Sequence, residues 1–163
     1  MVGYYFVLVF LLVGIAAVAV IGYVAWSLRN KKYDNANKIL KKLPFLSDSR
    51  GFLNPSLVAY VALRAKDVGH AEKIIDSLGA HSGLAVIDML HVSLAAIRQD
   101  WVQVDLDLNA LEARGIAEGL DITPLKDLRR YAETRDVDSL LSFYVIRGFG
   151  VIDSPLHRAN VKS

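Results

Sequence analysis

The chain has no cysteine, and it has no Asp, Glu, Lys or Arg before Arg29. The first absence excludes disulfides, cysteine zinc sites, thiol catalysis and iron–sulfur ligation, and leaves the redox compartment open. Equally missing are a Gly-x-Ser-x-Gly elbow, a phosphate loop and a glycine-rich strand-to-helix turn. The chain therefore reads as a non-enzyme, implying no cofactor and no evident small-molecule substrate. Asp88 and His91 share a helix face at i, i+3 and could form half a metal site. No third ligand stands at a telling spacing, so His91 reads as a hydrogen-bonded interior histidine. His70 and His81 read as solvated. Asp105 and Asp107 point to different faces of one helix, which excludes a carboxylate pair of the acid–base kind.

All the charge lies after residue 28, nineteen basic and seventeen acidic residues for a net charge of +2. A nearly neutral surface of this kind excludes a nucleic-acid partner held by bulk electrostatics. The charge-free part is the opposite extreme. Tyr4 to Trp26 is an apolar run whose 23 residues would rise about 34 Å as a helix, enough for a hydrocarbon core of about 30 Å. Tyr4, Tyr5 and Phe6 at one end and Tyr23 and Trp26 at the other suit the two interfaces. Ala17-Val18-Ala19 mimics a signal-peptide cleavage site, but the run is too long and no basic residue precedes it. Gly14, Val18 and Gly22 share one face and would allow a neighbouring membrane helix to approach closely.

Arg29, Lys31, Lys32, Lys38, Lys41 and Lys42 follow the run closely. Six basic residues on one side only predict an amino terminus outside and a domain on the cytoplasmic side, or the equivalent matrix or stromal side. The same lysines either rest against anionic headgroups or are merely solvated.

The remaining residues contain a repeat. KKYDNANKILKKLP from Lys31, KDVGHAEKIIDSLG from Lys66, QDWVQVDLDLNALE from Gln99 and RDVDSLLSFYVIRG from Arg135 align at intervals of 35, 33 and 36 residues. Each opens with a polar pair, then an apolar anchor (Tyr33, Val68, Trp101, Val137), then a small or aliphatic residue three further on (Ala36, Ala71, Val104, Leu140). Pro44, Gly79 and Gly148 close three copies as helix breakers, while the third runs on to Gly115. Asn54-Pro55 and Thr123-Pro124 each offer a capping side chain followed by proline at a first helical position. The pattern predicts helices over about 55–66, 68–78, 84–98, 101–114, 124–134 and 137–147, preceded by 33–43. Nothing alternates for long enough to suggest a sheet, so the fold class is all-α. Trp101, at an anchor position, reads as core.

These segments resemble the tetratricopeptide family, whose unit is 34 residues of helix–turn–helix. Ala36 and Ala71 match its small second-helix residue, and Leu40 and Ile75 match the larger apolar residue four later. The resemblance implies an α-solenoid of about three and a half hairpins over residues 29–148, after a membrane helix in 1–28 and before an extended tail in 149–163. It places Tyr60, Arg64, Arg129 and Glu133 on the inner face of first helices, where such stacks receive a peptide or a partner helix. Counting back from Tyr33 puts the first helix of copy one inside the membrane segment, leaving 33–43 as a cap whose lysines supply a polar outer face. The function implied is a membrane-anchored scaffold or adaptor for protein partners, themselves membrane proteins. The alternative is a small accessory subunit of a larger membrane complex of respiratory or photosynthetic type. The apolar tail residues Phe149, Val151 and Ile152 either fold back on the last hairpin or dock on a partner.

Overall fold

The computed structural model describes residues 2–43, 53–78, 85–142, 145–147 and 151–153. Along the chain these form α1 (Val2–Arg29), α2 (Tyr33–Lys42), α3 (Pro55–Arg64), α4 (Val68–Leu78), α5 (Ala85–Ile97), α6 (Trp101–Ala117), α7 (Leu125–Glu133) and α8 (Val137–Ser142). Two short strands follow, β1 (Val145–Arg147) and β2 (Val151–Asp153). The fold is helical, and one helix among the described residues, α1, is long and apolar enough to cross a membrane. Pro44, Gly79, His81, Gly148 and Phe149 lie outside the described residues.

The helices are joined in pairs by one turn used four times. Lys31, Lys66, Gln99 and Arg135 all adopt left-handed backbone, with φ of 56°, 57°, 61° and 57°. These are the residues that open the four aligned segments. At each, the amide of the left-handed residue reaches back three carbonyls: Lys31 to Leu28 at 3.1 Å, Lys66 to Leu63 at 2.9 Å, Gln99 to Ala96 at 3.0 Å and Arg135 to Ala132 at 3.0 Å. The next amide reaches back five: Lys32 to Ser27 at 2.7 Å, Asp67 to Ala62 at 2.9 Å, Asp100 to Ala95 at 3.0 Å and Asp136 to Tyr131 at 2.8 Å. Both bonds together satisfy orphan carbonyls at a helix end, and glycine usually supplies the left-handed residue. Among the described residues glycine does so only after α6, at Gly119 (φ 66°).

The second residue of each turn starts the next helix. Asp100 accepts from Gln103 N at 3.1 Å, Asp136 from Ser139 N at 3.0 Å and Asp67 from His70 N at 3.3 Å. Such caps satisfy an orphan donor and bring an anion to the positive helix end. The first turn has Lys32 in that place and no side-chain cap.

Packing runs between neighbours: α2 on α1, α3 on α2 and α4, α5 on α3, α4 and α6, α7 on α6 and α8, and α8 back on α5. Ala36, Ala71, Val104 and Leu140 are all buried, as are Leu40, Ile75 and Leu108 four residues beyond the first three. The anchors Tyr33, Val68, Trp101 and Val137 are half-buried against this core. Helix α3 is buried along its whole length from Ser56 to Leu63, which fits a segment with no charge before Arg64 and neighbours on several sides.

Three of the boundaries that differ from the sequence pattern have a local cause. Helix α6 runs to Ala117, beyond 114, because Gly115 stays helical and is buried. Helix α7 begins at Leu125 rather than Pro124: Thr123 provides no side-chain cap, and its amide instead donates to Asp121 Oδ1 at 2.9 Å. Helix α8 stops at Ser142, and Val145–Arg147 pairs antiparallel with Val151–Asp153 in the register Ile146↔Ile152. The run Phe143-Tyr144-Val145-Ile146 is aromatic and β-branched, and such residues favour a pleated surface over a helix. Asn54–Pro55 behaves as the pattern predicts, with Asn54 Oδ1 accepting from Ser56 N at 2.9 Å.

Candidate functional site

Tyr60, Arg64, Arg129 and Glu133 do not stand together as an open surface. Tyr60 is 4 % exposed, its ring edge-on to Tyr33 with centroids 6.3 Å apart at 87°. Burial, helped by Tyr33, pushes its phenol up to about 12. Its place is the core between α2 and α3, not a contact surface. Arg64 is half-buried: its guanidinium lies 4.7 Å from the centre of the Tyr33 ring, and Nη1 donates to Ser142 Oγ at 3.2 Å. That bond ties α3 to the end of α8. Arg129 pairs with Glu112 and donates to Asn109 Oδ1 at 2.8 Å, joining α7 to α6. Glu133 is exposed on the last turn of α7. Two guanidinium groups and one carboxylate thus lie at helix junctions, with Tyr60 supporting Arg64 from below through Tyr33.

A polar network absent from the sequence reading joins α2 to the turn before α4. Asn37, 5 % exposed, donates through Nδ2 to Asp67 Oδ2 at 2.9 Å. Its Oδ1 lies 2.8 Å from His70 Nδ1, which places the imidazole proton on Nδ1, since an amide oxygen only accepts. Lys41 Nζ reaches the same Asp67 oxygen at 2.8 Å. The bonds from Lys41, Asn37 and the His70 amide hold the Asp67 carboxyl below its ordinary range. Burial pulls His70 below its own ordinary value, against the field of Asp67. His70 is therefore part of a half-buried clasp and not a solvated side chain. Its sequence signal was the pairing of Asn37 with an Asp at the next turn, 30 residues on.

Asp88 sits 2.9 Å from Arg114 Nε, a charge pairing outside hydrogen-bond geometry. Burial raises its carboxyl above the ordinary range, while Arg114 and His91 oppose the rise. Among the described residues no three His, Cys, Asp or Glu side chains gather to hold a metal ion. A cleft of about 160 Å³ is lined by His91, Leu94, Arg98, Asp100 and Asp107, among others. Its polar groups are engaged locally: Asp107 accepts from Gln103 at 2.7 Å, and Arg98 pairs with Glu72 at 2.6 Å.

The membrane-length helix enters the core at its far end. Val24 is 2 % and Ser27 0 % exposed, and Val20 and Leu28 pack against the same core. Val18 is 71 % exposed, and a Cβ added at Gly14 or Gly22 would meet nothing within 4 Å. That face of α1 has no neighbour among the described residues. Tyr23 and Trp26 form a tilted pair with centroids 5.7 Å apart, and Lys32 Nζ lies 4.6 Å from the Trp26 ring centre. Arg29, Lys31, Lys38 and Lys42 are exposed. Comparison finds no matching family model, no matching curated protein and no matching solved structure.

Proposed function

We propose that the chain is a single-pass, membrane-anchored stack of tetratricopeptide-like hairpins, a non-enzymatic scaffold that holds a protein partner at the membrane. The observation carrying this reading is the recurrence of one left-handed turn at Lys31, Lys66, Gln99 and Arg135. The first of these turns joins α1 to α2, so the anchor is itself the first helix of the first hairpin. A scaffold needs its binding face held at a fixed position, and an anchor continuous with the stack provides that without a linker. The six basic residues from Arg29 to Lys42 support a cytoplasmic, matrix or stromal domain. Protease added outside intact cells should then spare it, and cleavage there reverses the orientation while leaving the stack.

A carboxylate-bearing partner segment would meet Arg64 and Arg129 by displacing Ser142 and Glu112 from their guanidinium forks, with Glu133 exposed on the last turn of α7. A pull-down from solubilised membranes compares the parent with an Arg64→Ala, Arg129→Ala variant. Loss of a captured protein supports the groove, and identical protein lists remove it.

A second reading, a fixed accessory subunit, is favoured by the outward side of α6. Val102, Leu106 and Ile116 are 74 %, 57 % and 63 % exposed there, an apolar face opposite the buried one. The Gly14 and Val18 face of α1 would serve the same role inside the bilayer, with Gly22 continuing it toward the domain. Blue-native electrophoresis separates the two readings: a fixed high-mass band means a subunit, a labile association an adaptor.

A further inference from the structure

We infer that the domain meets the bilayer with the edge opposite its hairpin turns, so that the carboxyl end of α2 contacts an anionic lipid surface through Lys38 and Lys42. The inference rests on the reading of α1 as a membrane span. The stripe of α1 that the rest of the chain covers consists of Ala17, Val20, Ile21, Val24, Ala25, Ser27 and Leu28, all buried or half-buried, whereas Leu11 to Ala16 are exposed. From Leu28 back to Ala17 is about 17 Å of helix, and the ten residues of α2 rise about 15 Å. The turn at Asn30–Lys32 reverses the chain, so α2 climbs beside α1 and its last turn arrives level with Val20 and Ala17.

A helix carrying Asp34, Asn35, Lys38, Lys41 and Lys42 does not enter hydrocarbon, where each charged side chain costs several kcal/mol. The hydrocarbon must therefore begin above the end of α2. Val2 to Ala19 then provides about 27 Å of apolar helix, close to the core thickness of about 30 Å. Two consequences follow for the six basic residues. Lys42 and, one turn below it, Lys38 stand at headgroup level and are exposed, while Lys41 alongside is held by Asp67 at 2.8 Å. Arg29, Lys31 and Lys32 sit about 15 Å further into the aqueous phase. That is beyond a Debye length of about 8 Å, so their attraction to lipid charge is screened. They set orientation during insertion, and the α2 lysines hold the domain upright afterwards. Lys32 has another use on this geometry, since its ammonium covers Trp26 below the interface.

The absence of cysteine makes the test direct. Single-site variants Val13→Cys, Lys42→Cys and Lys32→Cys of the full chain receive a nitroxide label. They are placed in phosphatidylcholine vesicles, with and without phosphatidylserine, and read against dissolved oxygen, a water-soluble nickel chelate and a headgroup-borne nickel lipid. The expected pattern is oxygen access at 13, relaxation by the headgroup nickel at 42, and free access of the water-soluble chelate at 32. Because the label at 42 replaces Lys42, the contact is read there through Lys38: phosphatidylserine should slow the probe at 42, Lys38→Ala should abolish that slowing, and the probe at 32 should stay unchanged. Headgroup relaxation at 32 with an aqueous 42 would turn the domain over and overturn the inference while leaving the span. A probe at 42 indifferent to phosphatidylserine would overturn the charged contact, and an aqueous probe at 13 would remove the span and the inference together.

Discussion

The four left-handed turns can be tested one residue at a time, and Gln99 is the cleanest place to begin. A side chain with a Cβ costs roughly 1–2 kcal/mol in this backbone region relative to its right-handed counterpart. Glycine is spared that cost but gives up about 0.5–1 kcal/mol more chain entropy on folding. Gln99 is exposed, so its side chain contributes little that Gln99→Gly would lose. The net expectation is a gain of about 0.5–1 kcal/mol, which for a domain of this size raises the melting temperature by roughly 2–6 °C. Thermal unfolding of the full chain in detergent, followed by circular dichroism, reads the shift. Lys66→Gly should match it, and the double variant should show the sum, because the turns are separate. Arg135→Gly should gain less, since its guanidinium lies 5.9 Å from the Trp101 ring and gives up a contact of about 0.5–1 kcal/mol. A fall in melting temperature with Gln99→Gly, of the size glycine causes inside a helix, would mean that residue 99 is not left-handed and that the repeated turn is wrong.

Ser27 occupies the place that Ala62 and Ala95 hold in the next two turns, is fully buried, and its hydroxyl has no hydrogen-bond partner among the described residues. Ser27→Ala should therefore stabilise the chain by about 1 kcal/mol, read by the same melt. Tyr60→Ala should cost about 3–5 kcal/mol as a core truncation, and the half-buried Trp101→Ala about half that; denaturant titration of both variants decides the order. Acid should weaken the domain in two stages. His70 has a lowered folded-state value, so the unfolded chain takes the proton first, and stability that is full above about pH 6.5 declines as pH falls below it. Asp67 is also lowered, so its contribution holds above about pH 3.8 and is lost as pH falls through its lower folded-state value. The denaturant midpoint should drop as pH falls below about 6.5, and His70→Gln should flatten that decline.

The helical fold and the junctions between helices were legible because polar pairs, apolar anchors and buried small residues recur at a near-constant interval. The turn conformation at Lys31, Lys66, Gln99 and Arg135 was not, since none is glycine and nothing in a lysine, glutamine or arginine signals positive φ. Tyr60 looked like a contact residue because an aromatic near an arginine suits an interface. Its burial depends on α2 returning to place Tyr33 edge-on against it. Arg64 finds Ser142 across 78 residues, a pairing that local periodicity does not encode. The early end of α8 was hidden for a different reason: the repeat interval favoured a helix to 147, and the β-branched run within it pulled the other way.

The central claim is that α1 both crosses the membrane and serves as the first helix of the first hairpin. Val24, 2 % exposed on the covered stripe, and Val18, 71 % exposed on the opposite side, separate that claim from a simple tether. Thermal melting of Val24→Ala and Val18→Ala in the full chain, followed by circular dichroism, is the direct measurement. Val24→Ala should destabilise the domain by about 2 kcal/mol, as for a buried valine, while Val18→Ala leaves it unchanged. Equal melting temperatures for both variants and the parent would contradict the account, and would make α1 a tether outside the stack.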